Sequence, residues 1–228
     1  MFDIGQIAEN VMMGRVDRNS KIVNEMIGKP GVKELTQMAI DEGVAVEDIL
    51  NKGLMGGMNV IGEGFKKGER FIPEVLMSAQ AMKVGMEIIK PILVKSGIKP
   101  IGNVAIGTVK GDVHDIGKTI VAMMMESAGL RVIDLGIDVP AQKFIEVVNN
   151  GEIQMVAMSA LLTTTMEQMK VTIEALAYSG LRDRVKVIVG GAPVSQSYAH
   201  EIGADMYAPD AVSAAEKVKQ FFAEKNID

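Results

Sequence analysis

Apolar positions along the chain follow two different periods, and the change falls near residue 100. Before it the spacing is helical. Val75, Leu76, Ala79, Met82, Met86, Ile89 and Leu93 recur at steps of three and four, one face of a helix that Pro73 can open at its first position. Ile49, Leu50, Leu54, Met58, Ile61 and Phe65 repeat in the same way. Gly53, Gly56 and Gly57 leave one side of that helix bare, and because glycine lowers helix propensity, close approach of a neighbouring helix is expected to compensate. Stretches 3–17 and 31–43 are also predicted helices, giving a small bundle over residues 1–95. Ser96-Gly97 and Lys99-Pro100 interrupt the pattern, so residues 96–102 read as a linker.

From 103 to 228 short apolar runs alternate with helical stretches. Strands are predicted at 104–109, 131–135, 153–159, 186–189 and, weakly, 205–207, with helices at 117–128, 141–149, 164–179, 195–202 and 210–224. Regular strand–helix alternation implies a parallel sheet with helices on both faces. The expected fold class is therefore α+α/β, a helical bundle followed by a Rossmann-like (flavodoxin-like) five-stranded parallel α/β domain. Ligands of such sheets sit beyond the carboxyl ends of the strands.

Composition narrows the choice of partner. The apolar fraction of 48% and charged fraction of 23% are globular, with material for two cores in 228 residues. Lys plus Arg number 24 against 29 Asp plus Glu, a net charge of -5, so there is no positive excess to neutralise a nucleic acid or an anionic membrane. The start carries Asp3 and Glu9 and does not read as a signal peptide, and no run approaches the ~20 apolar residues that span a bilayer, so a cytoplasmic protein is expected. Without cysteine there is no disulfide, thiolate metal site or cysteine nucleophile, and any metal must be held by oxygen or by His114 and His200. The 18 Met outnumber the 9 aromatic residues (Phe 6, Tyr 3, Trp 0), which suggests cores or contact surfaces filled by flexible side chains.

The loop after the first strand reads Lys110-Gly111-Asp112-Val113-His114-Asp115-Ile116-Gly117-Lys118-Thr119. It is not a phosphate loop: Gly111 and Gly117 enclose five residues where a Walker loop has four, and Asp112 and Asp115 would repel phosphate. Gly107, Gly111 and Gly117 also miss the GxGxxG spacing of a dinucleotide site. An aspartate two residues before a histidine suits metal ligation, because a carboxylate on one ring nitrogen fixes the tautomer and raises the basicity of the other. A loop histidine merely capped by that carboxylate is the alternative. Zinc is disfavoured for want of ligands, so a metal would arrive with most of its ligands attached. At the third strand end, Ser159, Thr163, Thr164 and Thr165 offer four hydroxyls that could bind a ligand or cap a helix. At the fourth, Gly190-Gly191 could admit a large ligand against the backbone or form a tight turn. His200, in Ser197-Tyr-Ala-His-Glu, reads as a surface residue.

The order Asp112-x-His114-x-x-Gly117, 41 residues (118 to 158), Ser159-x-Leu161, 28 residues (162 to 189), Gly190-Gly191 resembles the cobalamin-binding signature of methionine synthase, of the corrinoid proteins of methyltransferase systems and of some mutases. Met58-Asn-Val-Ile-Gly-Glu-Gly-Phe65 and Phe71-Ile-Pro-Glu-Val75 are similar to the helical cap of the same proteins, so the resemblance covers nearly the whole chain.

That resemblance implies a cobalamin or related corrinoid whose own lower base is displaced, with His114 as the metal ligand in its place. The loop Gly111, Asp112, Val113, His114, Asp115, Ile116 and Gly117 would bind the cofactor. Asp112 and Thr165 would form the relay behind the ligand, Thr165 standing where methionine synthase has serine. Ser159, Leu161, Thr163, Gly190, Gly191 and Ala211 would line the nucleotide tail, and Phe65, Ile72 and Val75 of the helical cap would cover the methyl-bearing upper face. The implied role is a non-catalytic methyl-carrier subunit. A substrate:corrinoid methyltransferase (methylamine, betaine, methanol or methyl ether donor) would load cobalt, and a second methyltransferase would pass the methyl group to tetrahydrofolate or coenzyme M. A reductive activation protein would be a further partner, and the linker a hinge. Competing roles are a cobalamin-binding regulator, which would need a DNA-reading module, and a mutase cobalamin-binding subunit, which would need a barrel for its substrate. A phosphoaccepting receiver domain would need an aspartate where Ser159 stands.

Overall fold

The computed structural model describes residues 2–225, and the chain divides into two units at the Lys99–Pro100 bond. The first is helical: α1 (Gly5–Met12), α2 (Val32–Asp41), α3 (Val46–Asp48), α4 (Met55–Lys66) and α5 (Ile72–Lys95), with a π-helical stretch Ile49–Leu54 joining α3 to α4. The periodic positions become its core: Val32, Leu35 and Ala39 of α2, Met58 and Ile61 of α4, and Val75, Ala79, Met82, Ile89 and Leu93 of α5 are all buried. Glutamates three residues into α2 and α5 accept the N–H groups that precede those helices, Gly31 N–H to Glu34 and Phe71 N–H to Glu74, each at 3.0 Å.

Two of the three clustered glycines serve helix approach as expected. A Cβ on Gly57 would meet the Ala8 carbonyl at 2.5 Å and one on Gly53 the Ile7 side chain at 3.1 Å, both on α1. Gly56 does not share that face, for its nearest neighbour is Asn51 of the preceding turn, at 3.5 Å. The predicted helix 3–17 stops at Met12, because Gly14 takes φ 68° and turns the chain away. Arg15 follows it and is fully buried, donating to Asn10 Oδ1 (2.5 Å) and to the carbonyls of Met26 (2.7 Å), Lys29 (3.0 Å) and Pro30 (3.2 Å). One guanidinium thus organises the long connection from α1 to α2.

The second unit is a five-stranded, wholly parallel sheet in the order β2-β1-β3-β4-β5, from β1 (Asn103–Thr108), β2 (Arg131–Asp134), β3 (Met155–Ser159), β4 (Lys186–Gly190) and β5 (Met206–Ala208). Between them run α6 (Ile116–Ser127), α7 (Ala141–Asn149), α8 (Glu167–Tyr178) and α9 (Gln196–Glu201), and α10 (Ala211–Lys225) follows β5. β1, β3 and β4 are buried almost end to end, as central strands covered on both faces must be, whereas the edge strand β2 is only partly covered. The strand order reverses between β1 and β3, which opens a crevice at their carboxyl ends. Thr108 lies opposite Ser159, and Ser159 opposite Gly190, so three of the loops singled out in the sequence start side by side.

Candidate functional site

Residues between β1 and α6 form a tethered loop. On one side Val109 N–H donates to the Ser159 carbonyl (3.0 Å), and on the other Thr108 N–H donates to Gly136 O (3.0 Å) and accepts, through its own carbonyl, the Val139 N–H (2.9 Å). Gly111 turns the chain at φ 80°. Its N–H donates to Asp138 Oδ1 (2.7 Å), and the buried Thr108 hydroxyl donates to the His114 carbonyl (2.9 Å).

This loop turns Asp112 inward and His114 outward. The Asp112 carboxylate is 0% exposed, and every contact it makes is a donor. Oδ1 receives the His114 N–H (3.1 Å) and faces His114 Nδ1 at 2.7 Å, while Oδ2 receives the Leu161 N–H (2.8 Å), the Leu162 N–H (3.4 Å) and the Thr165 hydroxyl (2.7 Å). Burial by itself would push this carboxyl up. The Leu161 N–H, the Thr165 hydroxyl and the His114 ring and N–H outweigh burial and hold it well below the usual carboxylate range, so it stays ionised. An ionised carboxylate only accepts, so the His114 Nδ1 carries a proton, and it is Nε2 that offers a lone pair in the neutral ring. The His114 side chain is 46% exposed.

A buried cation follows in the sequence. Lys118, in the first turn of α6, is 2% exposed and bridges Asp115 (2.9 Å) and Asp134 at the end of β2. Burial would lower its pKa, but the two carboxylates raise it instead, so the ammonium is retained. This ion pair network ties the His114 loop to the edge strand.

Around His114 the edge of the sheet is apolar and wet at once. Val113 and Ile116, 66% and 65% exposed, flank it in sequence, and Leu161, Leu162 and Ile137 are exposed on the loops after β3 and β2. A Cβ on Gly117 would touch nothing within 4 Å, which leaves open space at the start of α6. Large exposed apolar side chains gathered on loops mark a surface made to be covered.

Other residues singled out in the sequence fall as follows. Ser159 is half-buried, Leu161 and Thr163 are exposed, and Ala211, the first residue of α10, is buried. Gly190 and Gly191 are glycines for a backbone reason: a Cβ on Gly190 would lie 2.9 Å from the Ala208 carbonyl, and one on Gly191, at φ 127°, would overlap the Ala160 carbonyl. In the helical unit Phe65 is half-buried, Ile72 exposed and Val75 fully buried. His200 is exposed on α9. Among the described residues no cluster of three His, Asp or Glu could hold a metal ion, and no helix is long and apolar enough to cross a membrane. The sequence reading missed Thr108, Lys118, Asp134, Asp138 and the amides of Leu161 and Leu162. Only Lys118 carried a signal, a charged residue three places after Asp115 on the side that α6 buries.

Residues 102–217 match a family described as B12 binding domain, and residues 27–90 match a second family of the same description. The trimethylamine corrinoid protein 1 of Methanosarcina acetivorans is 45% identical over 188 residues, covering 82% of this chain and 87% of that protein. A corrinoid protein of Desulfitobacterium hafniense is 46% identical over 193 residues, with 82% and 89% covered. Among solved structures, the methanol:cobalamin methyltransferase complex of Methanosarcina barkeri contains a chain that superposes with a TM-score of 0.80 at 32% identity, covering 96% of this chain and 79% of that one.

Proposed function

The chain belongs to the family of B12-binding corrinoid proteins, and from that premise we propose that it binds a corrinoid through His114 and carries a methyl group between two methyltransferases. The observation that carries the assignment is the buried hydrogen-bonded line from Thr165 through Asp112 to His114, ending in an exposed imidazole ring. The residues fit the group. Nε2 has the free lone pair a metal needs, Val113, Ile116, Leu161 and Leu162 offer apolar surface to a flat macrocycle, and the space beside Gly117 is open.

When bound, the corrinoid supplies a cobalt atom that accepts, holds and releases the methyl group. The chain's own residues manage the ligand nitrogen. Asp112 holds the Nδ1 proton, which raises the basicity of Nε2 and favours ligation. Thr165 and the Leu161 N–H keep Asp112 ionised and in place behind the ring.

Ser159, Leu161, Thr163, Gly190, Gly191 and Ala211 are assigned to the nucleotide tail. Phe65 and Ile72 keep surface for covering the methyl-bearing face, whereas the buried Val75 would act through its neighbours. The 96–101 stretch, with Gly97 at φ 72°, is assigned the hinge that lets partners reach that face in turn. A methylamine, betaine, methanol or methyl ether methyltransferase would load the carrier, and a tetrahydrofolate or coenzyme M methyltransferase would unload it, with a reductive activation protein as the third partner. We place donor choice in the loading enzyme and the protein in the cytoplasm.

Reconstitution with hydroxocobalamin tests the assignment. Parent protein is expected to bind one equivalent, and His114→Ala to retain corrinoid with a changed axial-ligand spectrum; identical visible spectra for the two would overturn it.

A further inference from the structure

Asp138 is the one residue other than glycine with a left-handed backbone among the described residues, at φ 52°. It sits on the exposed loop after β2, between two positions already fixed to β1: Gly136 accepts the Thr108 N–H, and Val139 donates to the Thr108 carbonyl. Its own two polar groups reach the other way. Its carboxylate Oδ1 accepts the Gly111 N–H at 2.7 Å, and its N–H donates to the Asp112 carbonyl at 2.9 Å.

These two bonds straddle the Gly111–Asp112 peptide. Gly111 has no Cβ and stands at φ 80°, so no side chain limits the link before Asp112, and its one other tether is the Asp112 N–H donating to the Val109 carbonyl at 3.1 Å. Any swing there would redirect the Asp112 side chain, and with it the 2.7 Å contacts to His114 and Thr165. We infer that Asp138 is a positioning residue: gripping the Gly111–Asp112 link from both sides, it aims the Asp112 carboxylate at His114. Glycine would meet the conformational demand at lower cost, whereas aspartate meets it and also supplies a charged acceptor to Gly111. Its consequence at cobalt rests on the function proposed above; its consequence in the apoprotein does not.

The series Asp138→Asn, Asp138→Ala and Asp138→Gly separates the two demands. In apoprotein, NMR would follow hydrogen exchange at the Gly111 amide and the protected Nδ1 proton of His114. In protein loaded with hydroxocobalamin, the visible spectrum would report histidine ligation. Asparagine keeps the acceptor and the left-handed turn and is expected to behave as the parent. Alanine and glycine are expected to exchange the Gly111 amide about tenfold faster or more, to lose the protected His114 proton and to lower the histidine-ligated fraction. Parent-like His114 and Gly111 signals in Asp138→Gly would overturn the inference, since the turn alone would then suffice. A lowered melting temperature with the His114 proton unmoved would overturn it equally, as a purely structural role. If the parent itself shows no histidine-ligated spectrum, the cofactor assignment fails while the apoprotein signals still decide the role of Asp138.

Discussion

The direction of every hydrogen bond at the site follows from one buried charge. Asp112 accepts from two side chains and from backbone amides, and no donor remains on its own side chain to be satisfied. Thr165 is the member with a choice, because its single hydroxyl proton stands 2.7 Å from Asp112 Oδ2 and 2.9 Å from the Leu162 carbonyl. The charged oxygen is the stronger acceptor, so the proton goes to Asp112. Thr165→Ser keeps that bond and loses one buried methyl, so it is expected to cost about 1 kcal/mol or less. Thr165→Val removes the hydroxyl at constant shape, and denaturant unfolding of the apoprotein should show a loss of about 1–3 kcal/mol. Loaded with corrinoid, the valine variant should also show a smaller histidine-ligated fraction than the serine variant. Equal behaviour of the two would remove Thr165 from the relay.

Among the elements, periodicity alone located nearly all the helices and strands, since each buries a face whose spacing survives in the sequence. The departures have local causes. Helix 164–179 was expected to take in Thr165, but α8 begins at Glu167 because the Leu162 carbonyl gathers the N–H groups of Thr165 and Met166 into a turn. That turn is what presents the Thr165 hydroxyl to Asp112. The Gly190-Gly191 pair is open in the sequence between ligand access and a tight turn; the structure adds close backbone contact with Ala208 and Ala160, which neither reading contains. Gly191→Ala is therefore expected to destabilise the apoprotein by about 2 kcal/mol or more, read as a lower melting temperature before any corrinoid is added. An unchanged apoprotein would show that the Ala160 contact does not demand glycine there. Asp138 and the Asp134 partner of Lys118 were not legible, because their roles come from segments that the topology, not the sequence, makes adjacent. Edge pairing offers a separate check. Asp205 immediately precedes β5 and binds Arg182, Lys186 and the Val187 N–H. Burial pushes its carboxyl up, yet these donors hold it below its ordinary 3.8. The folded state then releases the proton more readily than the unfolded chain, so this stabilisation is present above about pH 4 and is lost as pH falls through the lowered value. Asp205→Asn should flatten the acid limb of stability against pH, and an unchanged slope would show that the staple contributes nothing.

For the whole molecule, the chemistry concentrates at one edge of the second unit, where loops from three neighbouring strands converge. The chain holds two histidines, and His200 stands apart on α9. Electron paramagnetic resonance of the cob(II)alamin-loaded protein, grown with nitrogen-15 histidine, therefore tests the central claim most directly. The account requires a doublet superhyperfine pattern from one nitrogen-15 nucleus, retained in His200→Ala and abolished in His114→Ala. A triplet from unlabelled nitrogen, or no axial nitrogen splitting at all, would contradict it.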